Sequence, residues 1–431
     1  MKIGFVSMPY AGHLNPLTAL ARKMQSRGHE VVFIGVPDAG PYVRGAGLPF
    51  VSYCEKEFPE GTIHRIHAPI SKLHGMDVVN LTIKDAGRAL FQAAAEHLPA
   101  KLAETGVEAL VLDTIHMFLE LVPMSMGIPY AQVWAVLNVD FSGTTPPCVV
   151  SWPNSDTPEA RTQNLEAVKT SGEIFGIVGE LAVDYAKRIG LNVDLSDPAA
   201  TVSKLAVVSQ MPKEFDFHGI PWPEQFHYAG PFFDEAGREP VPFPWEKLDG
   251  RPLIYASLGT LVNGAASIYK NILPAVGRMP EFQVVLPKGK NIELSELGPI
   301  PSNVIVVEKA PQLELLKRAA LCITHAGLNT TLETLAQGVP MVAIPIAYDQ
   351  PGVAARIAHH GVGEFIEVDD LTVDGLHALI QKVLKTPAYR ENAQRFKNII
   401  TKRHGLDVAS EAIESTFKKA LADRSVELSH A

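Results

Sequence analysis

His325 and Thr330 flank the turn in the run LCITHAGLNTTLETLAQG, and together they point to phosphate binding. Leu321–Thr324 reads as a buried strand, His325-Ala326-Gly327 as a tight turn, and TLETLAQ as a helix stopped by Gly338. The N–H groups of a helix's first turn have no carbonyl partner, and the positive end of the helix dipole lies there. Such a terminus therefore holds anions, phosphates above all. Histidine and threonine placed there can both donate to phosphate oxygens. Ser257-Leu258-Gly259-Thr260 follows another apolar run, and its small hydroxylated residues could form a second wall of the same site.

Two residues of the other half of the chain suit proton transfer. His13 lies in PYAGHLNP, between the first apolar run and the first helical pattern. A histidine titrating near ~6.5 can take a proton from a bound hydroxyl at neutral pH, or it can simply hydrogen-bond within its loop. Asp113 ends the run ALVLD. It can reach an imidazole and fix its tautomer, or cap the helix expected over TIHMFLELV, in which His116 reads as a helix residue.

The ordered set Ala310-Pro311-Gln312, His325/Gly327/Asn329/Thr330, Glu333, Gly338-Val339-Pro340 and Asp349-Gln350 resembles the nucleotide-sugar signature of family-1 UDP-dependent glycosyltransferases. That resemblance implies an α/β fold of GT-B type, with two Rossmann-like doubly wound domains facing each other across a cleft. It implies donor binding by Ala310, Gln312, His325, Gly327, Asn329, Thr330, Glu333, Asp349 and Gln350, beside the wall that Ser257, Gly259 and Thr260 would form. Within that set, Glu333 would take the ribose hydroxyls, and Asp349 and Gln350 the sugar hydroxyls. GHLNP resembles the family's first-loop motif, which implies His13 as general base and Asp113 as its partner. Lys309 stands where plant members often carry an aromatic residue, and Val353 where asparagine is frequent. With GHLNPLTAL, this makes the chain more similar to bacterial members, including zeaxanthin and macrolide glucosyltransferase-like proteins.

Holding these residues together requires strands that alternate with helices. Lys2–Met8, Glu30–Val36, Ala109–Leu112, Tyr130–Val136 and Leu205–Ser209 read as strands of the first half, with a helix over Pro16–Arg27 capped by Asn15. Leu253–Ser257, Gln283–Pro287, Val304–Val307, Leu321–Thr324, Met341–Ile344 and Glu364–Val368 repeat the pattern. Such alternation implies parallel sheets with ligands bound beyond the carboxyl ends of their strands. The boundaries expected are an acceptor-binding domain over 1–230, a proline-dense linker over 231–252 and a nucleotide-sugar domain over 253–405. A C-terminal helix over 406–431 would pack back on the first domain. Irregular stretches at Phe58–Lys84 and Ser142–Ser196 would shape the acceptor pocket, with Trp134 and Phe141, and also Trp152, as apolar lining.

With 431 residues the chain exceeds one core, and 46% hydrophobic with 20% charged residues is ordinary globular composition. A net charge of −9 without a basic block excludes nucleic-acid binding by a basic face. Three scattered cysteines and an N-terminus that opens directly on a strand suit the cytosol, and no apolar run reaches a membrane span of ~18 residues. No GxGxxG follows the first strand, and GxxxxGK[ST], DxD and HExxH are missing. The expectation is an inverting transferase that needs no metal or other cofactor. It would move a sugar, glucose from UDP-glucose, to an apolar small-molecule hydroxyl. A GT-B nucleotide-sugar epimerase and an idle sugar-nucleotide binder are the other readings.

Overall fold

The computed structural model describes residues 1–238 and 240–430; Glu239 of the linker and Ala431 lie outside the described residues. Among the described residues the strands form two wholly parallel sheets. The first contains β1 (Lys2–Val6), β2 (Glu30–Gly35), β3 (Phe50–Ser52), β4 (Ala109–Asp113), β5 (Tyr130–Trp134), β6 (Val207–Ser209) and β7 (Phe226–Tyr228), in the order β3-β2-β1-β4-β5-β6-β7. The second contains β8 (Leu253–Ser257), β9 (Gln283–Pro287), β10 (Val304–Val307), β11 (Ala319–Thr324), β12 (Met341–Ala343) and β13 (Gly363–Phe365), in the order β10-β9-β8-β11-β12-β13.

Helices cover both sheets. The first carries α1 (Ala11–Ser26), α2 (Gly40–Gly45), α3 (Thr62–Ile70), α4 (Gly75–Leu81), α5 (Arg88–Thr105), α6 (Leu121–Met126), α7 (Pro158–Ile174) and α8 (Gly176–Arg188). The second carries α9 (Ala266–Gly277), α10 (Gln312–Leu316), α11 (Leu328–Ala336), α12 (Gln350–His359), α13 (Val373–Lys385) and α14 (Pro387–Thr401). Strands such as LVLD and LIYAS are apolar on both faces because helices lie above and below them, as parallel sheets require. α15 (Gly405–His430) returns to the first sheet, where Ala409, Ile413 and Phe417 are buried with Leu17, Leu20 and Met24 of α1. Among the described residues no helix is long and apolar enough to cross a membrane.

In each sheet the strand order reverses beside its first strand, between β1 and β4 and between β8 and β11. Connections leave in opposite directions at such a point and open a crevice where ligands bind. His13 follows β1 and Asp113 ends β4, while Ser257 ends β8 and His325 follows β11. Both pairs singled out in the sequence therefore stand at a reversal.

Several sequence expectations change. The first helix starts at Ala11 with Tyr10 as N-cap, so Asn15 is not its cap and Pro16 lies inside it. The residues after Asp113 form tight turns up to α6, and His116 belongs to those turns. β3 and β7 were not anticipated: each has three residues, too few to carry a period.

The domains are joined by buried polar contacts as well as by the linker. Arg356 of α12 binds Asp216, beyond β6, through Nε at 3.0 Å and Nη2 at 2.7 Å, and its guanidinium lies over Phe217. Gly352 N–H donates to the Cys148 carbonyl at 2.8 Å, an approach so close that a Cβ on Gly352 would meet Cys148 backbone at 2.8 Å.

Candidate active site

His13 stands in the first turn of α1, where its N–H bonds the Tyr10 carbonyl at 2.9 Å. The pairing of Val6 with Leu112 puts the ends of β1 and β4 side by side, and Asp113 meets His13 there. Asp113 Oδ2 lies 2.8 Å from His13 Nδ1 and also accepts from Ser7 Oγ and Met8 N–H, each at 3.2 Å. Oδ1 accepts from Ile115 N–H at 3.3 Å, so one carboxylate both holds the histidine and shapes the following turn. Asp113 is fully buried, whereas the His13 side chain keeps 13% exposure and lines the cleft.

Burial opposes charge on His13, but the neighbouring Asp113, through its charge and its hydrogen bond, outweighs that and raises the pKa, with Asp349 adding to the effect. Burial likewise opposes charge on Asp113, and His13 with the Met8 and Ile115 amides draws its pKa down. A carboxylate accepting at Nδ1 leaves Nε2 as the basic atom, as in the histidine–aspartate part of a hydrolase triad.

Across the cleft α11 begins at Leu328 with Gly327 as N-cap, and Thr331 N–H is the first to find a helical carbonyl, that of Gly327. The His325 ring lies between two glycines. A Cβ on Gly259 would come within 2.6 Å of Nε2, and one on Gly327 within 2.4 Å. Gly259 also has φ +76°, a left-handed conformation that glycine adopts without strain. Burial pushes the His325 pKa down to about 4, against the Ser257 carbonyl 3.4 Å from Nδ1. Ser257, Thr260, Ala310 and Thr330 line the same wall.

The remaining donor-side residues have protein partners. Glu333 accepts from Gln312 Nε2 at 2.6 Å and from Arg238 of the linker at 2.5 Å. Gln312 in turn accepts from the Tyr255 hydroxyl at 3.0 Å. Asn329 bonds the other domain: Nδ2 donates to the Gly12 carbonyl at 2.6 Å, and Oδ1 accepts from Gln210 at 2.8 Å. Asp349 accepts from Leu137 N–H at 2.9 Å, and Gln350 Oε1 accepts from Ile346 and Ala347 N–H. Both still line the cleft.

His13, His325 and the donor-side residues Gln312, Asn329, Glu333, Asp349 and Gln350 face one cleft of about 2160 Å³, with Asp113 buried behind His13. Single small-ligand sites usually measure roughly 300–1,000 Å³, so there is space for two substrates. On the first domain's side it is lined by Trp134, 8% exposed at the end of β5, and by Phe141, 52% exposed. Trp152 does not line it. The sequence reading passed over Gln210, Arg238 and Glu120. Gln210 and Arg238 act across long separations in the chain, and Glu120 falls inside the run TIHMFLELV with no spacing signal of its own. Among the described residues one trio could hold a metal ion, Cys54, Glu57 and His97, and none of the three lines the cleft.

A family model described as UDP-glucoronosyl and UDP-glucosyl transferase matches residues 248–415, which include β8–β13 and α11. Over longer spans the chain is similar to zeaxanthin glucosyltransferase of Pantoea ananas, 27% identical across 83% of each chain. It is also similar to NDP-glycosyltransferase YjiC of Bacillus subtilis, 25% identical across 97% of this chain and 98% of that one. Among solved structures, the glycotransferase of kitacinnamycin superposes with a TM-score of 0.75 at 23% identity, covering 96% of this chain and 99% of its own. Two doubly wound sheets, a dyad at one strand-order reversal and a histidine-flanked helix terminus at the other agree with these matches: the chain is a glycosyltransferase of GT-B fold, similar over residues 248–415 to the UDP-glucuronosyl and UDP-glucosyl transferases.

Proposed function

We propose that the enzyme transfers glucose from UDP-glucose, with inversion and without a metal, to a hydroxyl of an apolar small molecule. The observation that carries this reading is the His13–Asp113 pair, 2.8 Å apart, which leaves Nε2 of a cleft-lining histidine free to act as base. The acceptor oxygen attacks the anomeric carbon as its proton passes to His13 Nε2. The carbon–oxygen bond to the diphosphate breaks from the opposite face, so an α-linked donor yields a β-glycoside. Asp113 stabilises the imidazolium that results.

The departing diphosphate carries the electron pair away. The free N–H groups of the first turn of α11, the Ser257, Thr260 and Thr330 hydroxyls and His325 are the groups that would meet its charge. Glu333 is assigned to the ribose, with Arg238 sharing its carboxylate, and Asp349 and Gln350 to the sugar. The size of the cleft and its apolar flank at Trp134 and Phe141 favour an acceptor over epimerisation or simple nucleotide binding. Similarity to enzymes named for zeaxanthin and, in Streptomyces antibioticus, for oleandomycin supports a natural-product acceptor.

His13→Ala should lower kcat on an aliphatic alcohol by about 10²–10⁴-fold, the usual contribution of a positioned base. UDP affinity by calorimetry should survive, the product of the wild type should carry a β-anomeric proton by NMR, and a chelator should leave the rate unchanged. Full turnover by His13→Ala would falsify the assignment of the base.

A further inference from the structure

Among the described residues, two buried side-chain atoms that lack a hydrogen-bond partner belong to residues lining the cleft: Thr114 Oγ1 and Glu120 Oε2. Both sit on the connection from β4 to α6, which begins at Asp113, and so both belong to the acceptor side. Glu120 is 2% exposed. Its Oε1 accepts from Gln132 Nε2 at 2.6 Å, while Gln132 Oε1 accepts from Ser203 N–H at 2.8 Å. The Ser203 bond fixes which end of the amide faces Glu120, so the carboxyl is held at one oxygen and unused at the other. Unsatisfied buried polar atoms are costly and uncommon unless something outside the chain satisfies them.

We propose that Glu120 and Thr114 form the specificity point of the acceptor pocket, hydrogen-bonding a second hydroxyl of a dihydroxylated apolar acceptor, distinct from the hydroxyl that reacts at His13. The inference rests on the transferase reading only for the name of the pocket. A hydroxyl is the matching group because it donates and accepts at once, as Thr114 does. Burial pushes the Glu120 carboxyl up to about 7, with its own backbone N–H and then the Gln132 bond opposing and the Asp113 charge reinforcing. Near neutrality the group thus exists in both forms. A hydroxyl can accept from the acid or donate to the carboxylate, whereas an ammonium satisfies the carboxylate alone.

The test is calorimetric binding, at saturating UDP, of a naphthol, the set of dihydroxynaphthalenes and an aminomethylnaphthol. At least one diol should bind the wild type tenfold to a hundredfold more tightly than the naphthol, the range that a satisfied buried partner supplies. Glu120→Leu should bring that ratio below threefold. Glu120→Gln, which keeps the shape and a hydrogen-bonding end, should retain a larger share, and Thr114→Val should reduce the ratio partway. UDP affinity, read for every variant, reports an intact fold. A wild-type ratio below threefold for every diol, a ratio that survives Glu120→Leu, or tighter binding of the amine would each overturn the proposal. Because binding is measured, failure to glycosylate any of these compounds counts against the transferase reading alone.

Discussion

Asn329 on α11 donates its side-chain N–H to the carbonyl oxygen of Gly12 on α1 at 2.6 Å, across the cleft. That carbonyl is available because of Pro16. In a helix the carbonyl of residue 12 would accept from the N–H of residue 16, and proline has none. The helix proposed to hold the diphosphate is thereby hydrogen-bonded to the helix that carries His13.

A double-mutant cycle tests this link. Asn329→Ala leaves the Gly12 carbonyl without its partner and should cost about 1–3 kcal/mol in kcat/KM. Pro16→Ala supplies a helical N–H to the same carbonyl, so Asn329→Ala should cost less in that background, with a coupling of roughly 0.5–3 kcal/mol. Strict additivity would leave the two residues unlinked.

The pH dependence follows from the dyad. A general base works unprotonated, so kcat/KM should rise with pH through the pKa of His13 and then level off. Asp113 holds that pKa above the ordinary histidine value, so the midpoint in the wild type should lie above about 6.5. Asp113→Asn removes the charge that favours the imidazolium. The midpoint should move to lower pH while the plateau falls by up to about 10⁴-fold, since the wrong tautomer then faces the cleft. A midpoint that moved up, or stayed in place, would show that Asp113 does not govern the titration.

What was legible in the sequence was whatever is written locally. β8, β9 and β10 fall on the ranges read from their apolar runs, because a strand covered on both faces has no other signal to give. The turn at His325 was equally plain, since strand, glycine and helix start lie within a few residues. The start of α1 was not: Asn15-Pro16 is a good helix opening, but the helix already begins at Ala11, where the Tyr10 carbonyl accepts from His13 and Leu14 N–H, and Asn329 takes up the carbonyl that the proline frees. Asn329 and Glu333 carry the donor-ligand reading in the sequence, Glu333 also that of a favourable acid in the first helical turn. Their partners, Gly12, Gln210 and Arg238, lie far away in the chain, and no spacing rule connects them. Glu120 was invisible for a related reason, as its unused oxygen is defined by Gln132 and Ser203, which only the fold brings near.

The glycines beside His325 lead to a prediction about the donor. Gly327→Ala places a methyl group within 2.4 Å of His325 Nε2 and must displace the ring, so UDP affinity should fall at least about tenfold while the sheets stay intact. The ring itself should respond to ligand. Burial holds its pKa near 4 without ligand, and a diphosphate beside it would favour the charged form and raise that value. UDP binding below about pH 6 should therefore take up protons, visible as a binding enthalpy that varies with the ionisation enthalpy of the buffer. His325→Gln should abolish that dependence. Equal enthalpies in all buffers for the wild type would mean that His325 stays neutral and donates through Nε2–H instead.

Arg356 and Asp216 set the mechanical side of the site. The guanidinium also donates to the Gly352 carbonyl at 3.0 Å, and Asp216 accepts from the Tyr228 hydroxyl at 2.6 Å and from Asn138 at 3.3 Å, so every part of this buried pair is satisfied. Truncation of one partner leaves the other charge buried, a loss of about 3–5 kcal/mol. Arg356→Ala should lower stability to urea by that amount, and the unfolding curve should split into two transitions if this pair is what makes the domains unfold together. Arg356→Lys keeps the charge but not the two-pronged contact, and should fall between. Since α12 begins at Gln350 and Asp349 accepts from Leu137 of the first domain, loosening the pair should also raise KM for UDP-glucose while sparing UDP affinity, because Asp349 and Gln350 are assigned to the sugar. Equal losses for UDP and UDP-glucose would instead place the effect of α12 on the nucleotide.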